Sequence, residues 1–247
     1  MGRHESLIAR ALASYGGDTS GVLVGAKGGA ARGADGAWLF DGDPAILRES
    51  CEGSLKRLAV DAIGLYQLHV PDPNVPYADS VGATGKLYDA GKIRAIGISN
   101  VNSDQRRVAH GIVGERLVSV QNNFSPATHE SGPQLRLCDE LGIAFLLYSP
   151  LGGISCAGAL GSAHAAFASI AEARGVGPQQ VCLSWELAKS PVVVPIPGSS
   201  RPSAIEDSTA AADLALTAAE LSELDADQPG PSRRTSIGML ETARKFH

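Results

Sequence analysis

The chain has 247 residues, 44% of them apolar, and a formal net charge of −5. That length and apolar content suffice for one sizeable α/β core. The acidic balance argues against nucleic acid or an anionic membrane as the main partner, and no apolar run approaches the ~20 residues of a membrane span. In chain order, residues 4–14 have the spacing of an amphipathic helix, with Leu7, Ile8 and Leu12 turned toward a core and a stop at Gly16-Gly17. Val22 to Gly28 reads as a strand that ends on Lys27. A glycine-rich loop follows to Asp43, with a short strand at Trp38 to Phe40. Pro44 opens a helix to Leu58 whose buried stripe is Ile46, Leu47, Leu55 and Leu58.

The next stretch is the most regular. Ile63 to Leu68 and Ile93 to Ile98 are short apolar runs without strict alternation, the pattern of fully buried parallel strands. Tyr77 to Gly91 between them has helical spacing and a glycine stop. Further strands are expected at 118–123, 144–149 and 192–196, alternating with helices at 103–113, 132–142, 163–174, 178–189, 203–212 and 217–226. Ser103 is read as the cap of its helix, and residues 229–247 as a polar tail of a single domain spanning 1–247. Six strands alternating with helices imply a parallel sheet or barrel. The dinucleotide fingerprint G-x-G-x-x-G is missing between strand and helix, while polar residues close strand after strand: Lys27, His69, Ser99 with Asn100, Gln121, Tyr148 and Gly198. Polar groups converging from successive strand ends favour a barrel mouth. The four scattered cysteines, Cys51, Cys138, Cys156 and Cys182, read as buried thiols of a cytoplasmic protein.

The motifs GRHESLIARAL, VGAKGG, SCEGSLKRL, DAIGLYQLHVPDP, GKIRAIGISN, SVQNNFS, LYSPLGG and PIPGSSRPSAIED stand in an order that resembles the aldo-keto reductase family. The resemblance implies a (β/α)8 TIM-barrel type that binds NADPH across the strand C-termini and reduces aldehydes and ketones with a Tyr, Lys, Asp and His tetrad. On it, Lys27 and His69 match the tetrad lysine and histidine. Ser99, Asn100 and Gln121 match the residues on the nicotinamide carboxamide, Tyr148 the ring stacked on the nicotinamide, and Leu151-Gly152 the turn beside the pyrophosphate. Gly198 leads into Ser199, Ser200 and Arg201, which match the segment around the adenosine 2′-phosphate. Glu206 and Asp207 match an acidic residue and an asparagine at the adenine, so Asp207 departs from the pattern.

A larger departure is at the front, where Met1 occupies the position of the tetrad tyrosine and the first two strands have no counterpart. The expectation is therefore an incomplete barrel of about six parallel strands, with impaired or altered NADP-dependent carbonyl chemistry. Tyr66 is no substitute, because its alternation with Ile63, Leu65 and His69 turns it toward the outer helices. Two alternatives stand beside this one. One is a repurposed lyase, dehydratase or cyclase using His69 and Lys27; the other is a non-catalytic nucleotide-binding protein. The partners expected are a small carbonyl substrate and a second copy of the chain covering the open barrel edge.

Overall fold

A computed structural model describes residues 3–33 and 35–227. Met1 and Gly2, and the tail from 229 to 247, lie outside the described residues. Two compact units divide the chain, one up to Val120 and one from Gln121 onward.

The first unit opens with helix α1 (Arg3–Ser14), followed by strands β1 (Gly25–Gly28), β2 (Ala30–Arg32) and β3 (Trp38–Phe40) and helix α2 (Pro44–Leu58). Strand β4 (Leu65–Leu68), helix α3 (Tyr77–Asp89), strand β5 (Ile96–Ser99) and helix α4 (Ser103–Val113) complete the alternation, and β6 (Leu117–Asn123) runs across the boundary. β1, β4 and β5 pair in parallel, with Lys27 beside Gln67 and Gln67 beside Gly97. β4 and β5 are buried along their length because helices cover one face and side chains from neighbouring strands fill the other, whereas β1 is exposed at Gly25. On the latter face Gln67 donates from Nε2 to Ser119 Oγ at 3.4 Å. Gly97 makes room for both, since a Cβ there would stand 2.7 Å from Gln67 Cγ. On the opposite face Tyr66 is fully buried and donates its hydroxyl to Leu47 O of α2, at 3.3 Å. Tyr66 thus faces the outer helices as its alternation requires.

Local signals explain the ends of these elements. Pro44 sits in the first turn of α2, where it forfeits no hydrogen bond, and Asp43 accepts from Ala45 N and Ile46 N. Gly91, at φ 69°, terminates α3 as its position implies. The cap of α4 is Asn102, not Ser103: Asn102 and Gln105 exchange side-chain bonds with each other's backbone N–H in a capping box. Three apolar residues also depart from the expected burial. Helix α1 packs on α2 and is tied there by Glu5 to Arg57 at 2.5 Å, yet Leu7 and Ile8 are exposed and only part of its surface is covered. Ile46 is exposed, its place in the α2 stripe being taken by Cys51 and Ser54. The strand expected from Val22 begins only at Gly25; Leu65 N reaches back to Val24 O, while Val22 and Leu23 stay in solvent. Strand length is set by the partner, and β4 itself begins at Leu65.

The second unit contains helix α5 (Gly132–Leu141), strand β7 (Ala144–Tyr148), the short helices α6 (Ile154–Ala157) and α7 (Leu160–Ala163), and helices α8 (Ala165–Arg174) and α9 (Pro178–Leu187). Strand β8 (Val193–Pro195) pairs in parallel with β7, and helices α10 (Pro202–Ala210) and α11 (Ala218–Ala226) follow. Its core is aromatic. Trp185 lies 5.9 Å from Phe124 in a stacked pair and 5.7 Å from Phe167 edge-on, and its indole N–H donates to Asp225 at 2.6 Å. Glu186 beside it on α9 is fully buried with neither carboxylate oxygen hydrogen-bonded, so desolvation pushes its pKa well up and favours the neutral acid. Cys51, Cys138 and Cys182 are buried as expected; Cys156 is not, because it lies on the exposed one-turn helix α6. Among the described residues no helix is long and apolar enough to cross a membrane.

Candidate active site

The expected site residues fall into two groups, one in each unit. In the first, parallel register fixes the arrangement. Lys27 is the third residue of β1 and stands beside Gln67. His69, two residues on from Gln67, shares its face and donates its backbone N–H to Gly28 O at 2.9 Å. Lys27 is mostly enclosed, and desolvation alone lowers its pKa. The His69 imidazole is lowered further, to about 4, first by burial and then by the positive charge of Lys27. At neutral pH His69 is therefore an uncharged ring beside a lysine.

Asn100 anchors the histidine from the next strand end. Its Nδ2 donates to His69 O at 3.0 Å and to Ser99 Oγ at 3.1 Å, and its backbone is left-handed at φ 57°. Asparagine tolerates that region better than most residues, and the conformation turns its amide back over the β4 end. Ser99 is almost fully buried below it. Sequence reasoning missed one neighbour. Trp38, on β3, meets the His69 ring edge-on with 5.5 Å between centroids. The only trace of it in the sequence is an aromatic pair, Trp38 and Phe40, at strand spacing within a glycine-rich loop.

The second group begins at Gln121, buried on β6. Tyr148 ends β7, and burial raises its phenol pKa. The chain then turns sharply: Ser149 is left-handed at φ 54°, and Gly152 N–H closes the turn onto Ser149 O at 2.9 Å. Gly152, next to Leu151, has φ 75°, and a Cβ would press to 3.1 Å from Cys156 Cβ, so a glycine is required there. A left-handed serine is a strained choice, of the kind found where a chain must present its backbone to a ligand. Beyond β8, Gly198 leads to exposed Ser199, Ser200 and Arg201 at the start of α10. Ser199 Oγ donates to Arg201 O at 2.9 Å and accepts from Arg201 N at 3.2 Å, which folds this segment tightly onto itself. No side chain caps α10, so its first N–H groups and the Arg201 guanidinium together suit a phosphate. Glu206 is exposed on the same helix, whereas Asp207 turns inward, its carboxylate oxygens 3.8 Å from where a Cβ on Gly177 would stand.

Folded-state suppression of His69 protonation has a measurable consequence. The folded pKa of about 4 lies below the ordinary 6.5, so between those values the unfolded chain binds more protons. Stability from this residue is complete above pH 6.5 and is lost as pH falls toward 4. Its ceiling is about 3 kcal/mol, from roughly 1.4 kcal/mol per unit. In urea melts, His69→Gln should gain on the wild type steadily from pH 7 down to pH 4.5. Parallel curves would show that His69 titrates normally.

Comparison with known proteins identifies the family. A profile of the aldo/keto reductase family matches residues 1–227. An oxidoreductase of Schizosaccharomyces pombe is 33% identical over 221 residues, covering 90% of this chain and 69% of its own length. An aldo-keto reductase of Strobilurus tenacellus is 30% identical, over 73% of this chain and 62% of its own length. Among solved structures, an aldo-keto reductase from Klebsiella pneumoniae in complex with NADPH superposes with a TM-score of 0.76 at 27% identity, over 95% of this chain and 78% of that one. With the profile running through both units and strands alternating with helices as in its structural relatives, the chain belongs to the aldo-keto reductase family of oxidoreductases.

Proposed function

We propose that this chain works with NADP(H) to interconvert a small carbonyl compound and its alcohol. The observation that carries the reading is the uncharged His69 ring, lodged beside Lys27 with its backbone carbonyl held by Asn100. In each unit taken by itself, residues suit one part of such a cofactor. Ser99 and Asn100 offer hydroxyl and amide groups of the kind a carboxamide needs, and Arg201 with the uncapped start of α10 suits a 2′-phosphate. Asp207 fits less well, since a carboxylate donates no hydrogen bond to an adenine. When bound, NADPH supplies a hydride equivalent to the carbonyl carbon.

The chain's own contribution is electrostatic. Charge develops on the carbonyl oxygen as its carbon is reduced, and groups already aimed at that oxygen stabilise it without reorganising. A neutral His69 ring can donate one hydrogen bond there, and Lys27, when protonated, adds a positive charge on the same side. The proton that completes the alcohol needs a source. Within the first unit, Tyr66 spends its hydroxyl on Leu47 O, Tyr15 is exposed beyond α1, and Tyr88 lies under Arg116. Tyr77, on α3, is half-buried and its enclosed hydroxyl is unpartnered. None of these four phenols is hydrogen-bonded to Lys27 or His69, so the reading takes water as the proton donor, where a positioned acid would add about 10²–10⁴-fold.

The test is a fluorescence titration with NADPH and with NADH, followed by turnover of butanal read as NADPH consumption. Binding in the micromolar range, tighter for NADPH, with slow turnover that rises linearly with added buffer acid, is the expected result. Absence of NADPH binding would reject the reading. Turnover indifferent to buffer acid would reject water as the proton source.

A further inference from the structure

The loop after β1 is a small antiparallel sheet of its own. Ala30 pairs with Phe40, Ala31 with Leu39 and Arg32 with Trp38, and the base is closed by Asp41 N to Gly29 O at 3.1 Å. The register puts Arg32 and Trp38 side by side, and the Arg32 guanidinium carbon lies 3.9 Å over the Trp38 ring centroid. Nη1 of the same guanidinium donates to Gly36 O at 2.6 Å. Arg32 is exposed and meets no carboxylate among the described residues; the nearby Asp35 accepts from Ala37 N instead.

These contacts hold a cation in place without neutralising it. Stacked on an indole and tethered at one nitrogen, the guanidinium has already lost much of its rotamer freedom, yet keeps most of its five donors for a planar anion. The same indole touches His69. The two spacings bound the distance from the His69 ring to the guanidinium carbon at about 9 Å. A chain of up to three or four carbons, with a hydrogen bond of about 3 Å at each end, fits within that upper limit.

We propose that Arg32, positioned by Trp38, selects carbonyl substrates that carry a carboxylate three or four carbons along, so that the site takes short oxo acids in preference to neutral aldehydes. The inference rests on the reading of Lys27 and His69 as the carbonyl-polarising pair. Arg32 would bind the far end of the substrate and touch none of the reacting atoms, so its signature is selectivity.

The experiment compares kcat/KM for 4-oxobutanoate and butanal with NADPH. The wild type should favour the oxo acid by tenfold or more, mainly through KM, and the preference should shrink as salt is added. In Arg32→Gln the ratio should fall to near one, and Arg32→Lys should restore part of it. A wild-type ratio near one, or a ratio unchanged in Arg32→Gln, overturns the inference while leaving the carbonyl site standing. A chain that turns over neither compound fails the underlying reading, and a titration then decides the inference alone. Succinate should perturb the tryptophan emission of the wild type, succinamide should not, and the response should vanish in Arg32→Gln and in Trp38→Phe. No response to succinate in the wild type counts against an anion site at Arg32.

Discussion

Lys27→Met should lower kcat for butanal by about 10²–10³-fold, the usual cost of removing one preorganised charge from a developing oxyanion. The same change should raise the pKa of His69, because the Lys27 charge is the second cause of its depression. Burial, the larger cause, remains, so the recovery should be partial and the ring should still titrate below its ordinary 6.5. Methionine preserves the apolar stem of the lysine and spares β1 packing. NMR titration of the imidazole separates the two consequences. An upward shift together with a kcat loss places both groups at one site. A kcat loss with an unmoved His69 would mean that Lys27 acts elsewhere, and an unmoved kcat would remove it from the chemistry altogether.

How much of this was legible in the sequence depended on whether the deciding contact was local. Pro44 to Leu58 matches helix α2 end for end, because proline in the first turn and an apolar stripe are both properties of neighbouring residues. Gly91 and Gly142 mark helix ends for the same reason: each adopts a positive φ just past the last turn. Ser103 and Asn102 are both good caps, and only the reciprocal bond with Gln105 decides between them. Burial was less legible than secondary structure. Leu7, Ile8 and Ile46 have the right spacing, but whether a face is covered depends on what lies against it, and α1 has only α2 as a substantial contact among the described residues.

The candidate site divides along the same line. Lys27 and His69 end neighbouring parallel strands, so alternation and strand order suffice to put them on one face. The depressed pKa of His69 follows from enclosure that spacing does not reveal. Trp38 and Arg32 were missed because the hairpin from Ala30 to Phe40 can fold over the strand ends or away from them, and the sequence of its turn does not choose. Its register, Arg32 beside Trp38, together with the edge-on contact to His69, is a tertiary outcome.

Gly28→Ala should be the most damaging single methyl in the first unit. Gly28 follows Lys27 and faces the buried side of β1, where a Cβ would overlap the Tyr66 hydroxyl and stand 2.8 Å from its Cζ. Tyr66 cannot swing away, being fully buried between β4 and α2 with its hydroxyl on Leu47 O. Overpacking of this kind costs typically 1–3 kcal/mol, and loss of the hydroxyl's partner adds about 1 kcal/mol more. Urea unfolding should therefore show a drop of roughly 3 kcal/mol for Gly28→Ala. Tyr66→Phe alone should cost about 1 kcal/mol, leaving the Leu47 carbonyl short of a donor. Combined, the two should cost less than their sum, since the phenylalanine removes the closer of the two overlaps, leaving only the contact with Cζ. Strict additivity would mean that Gly28 is not packed against Tyr66. Because Gly28 O also accepts the His69 backbone N–H, a strand displaced by the extra methyl should carry the histidine with it. The double variant should then recover turnover in step with stability, whereas recovered stability without recovered turnover would show that the site tolerates less displacement than the core beneath it.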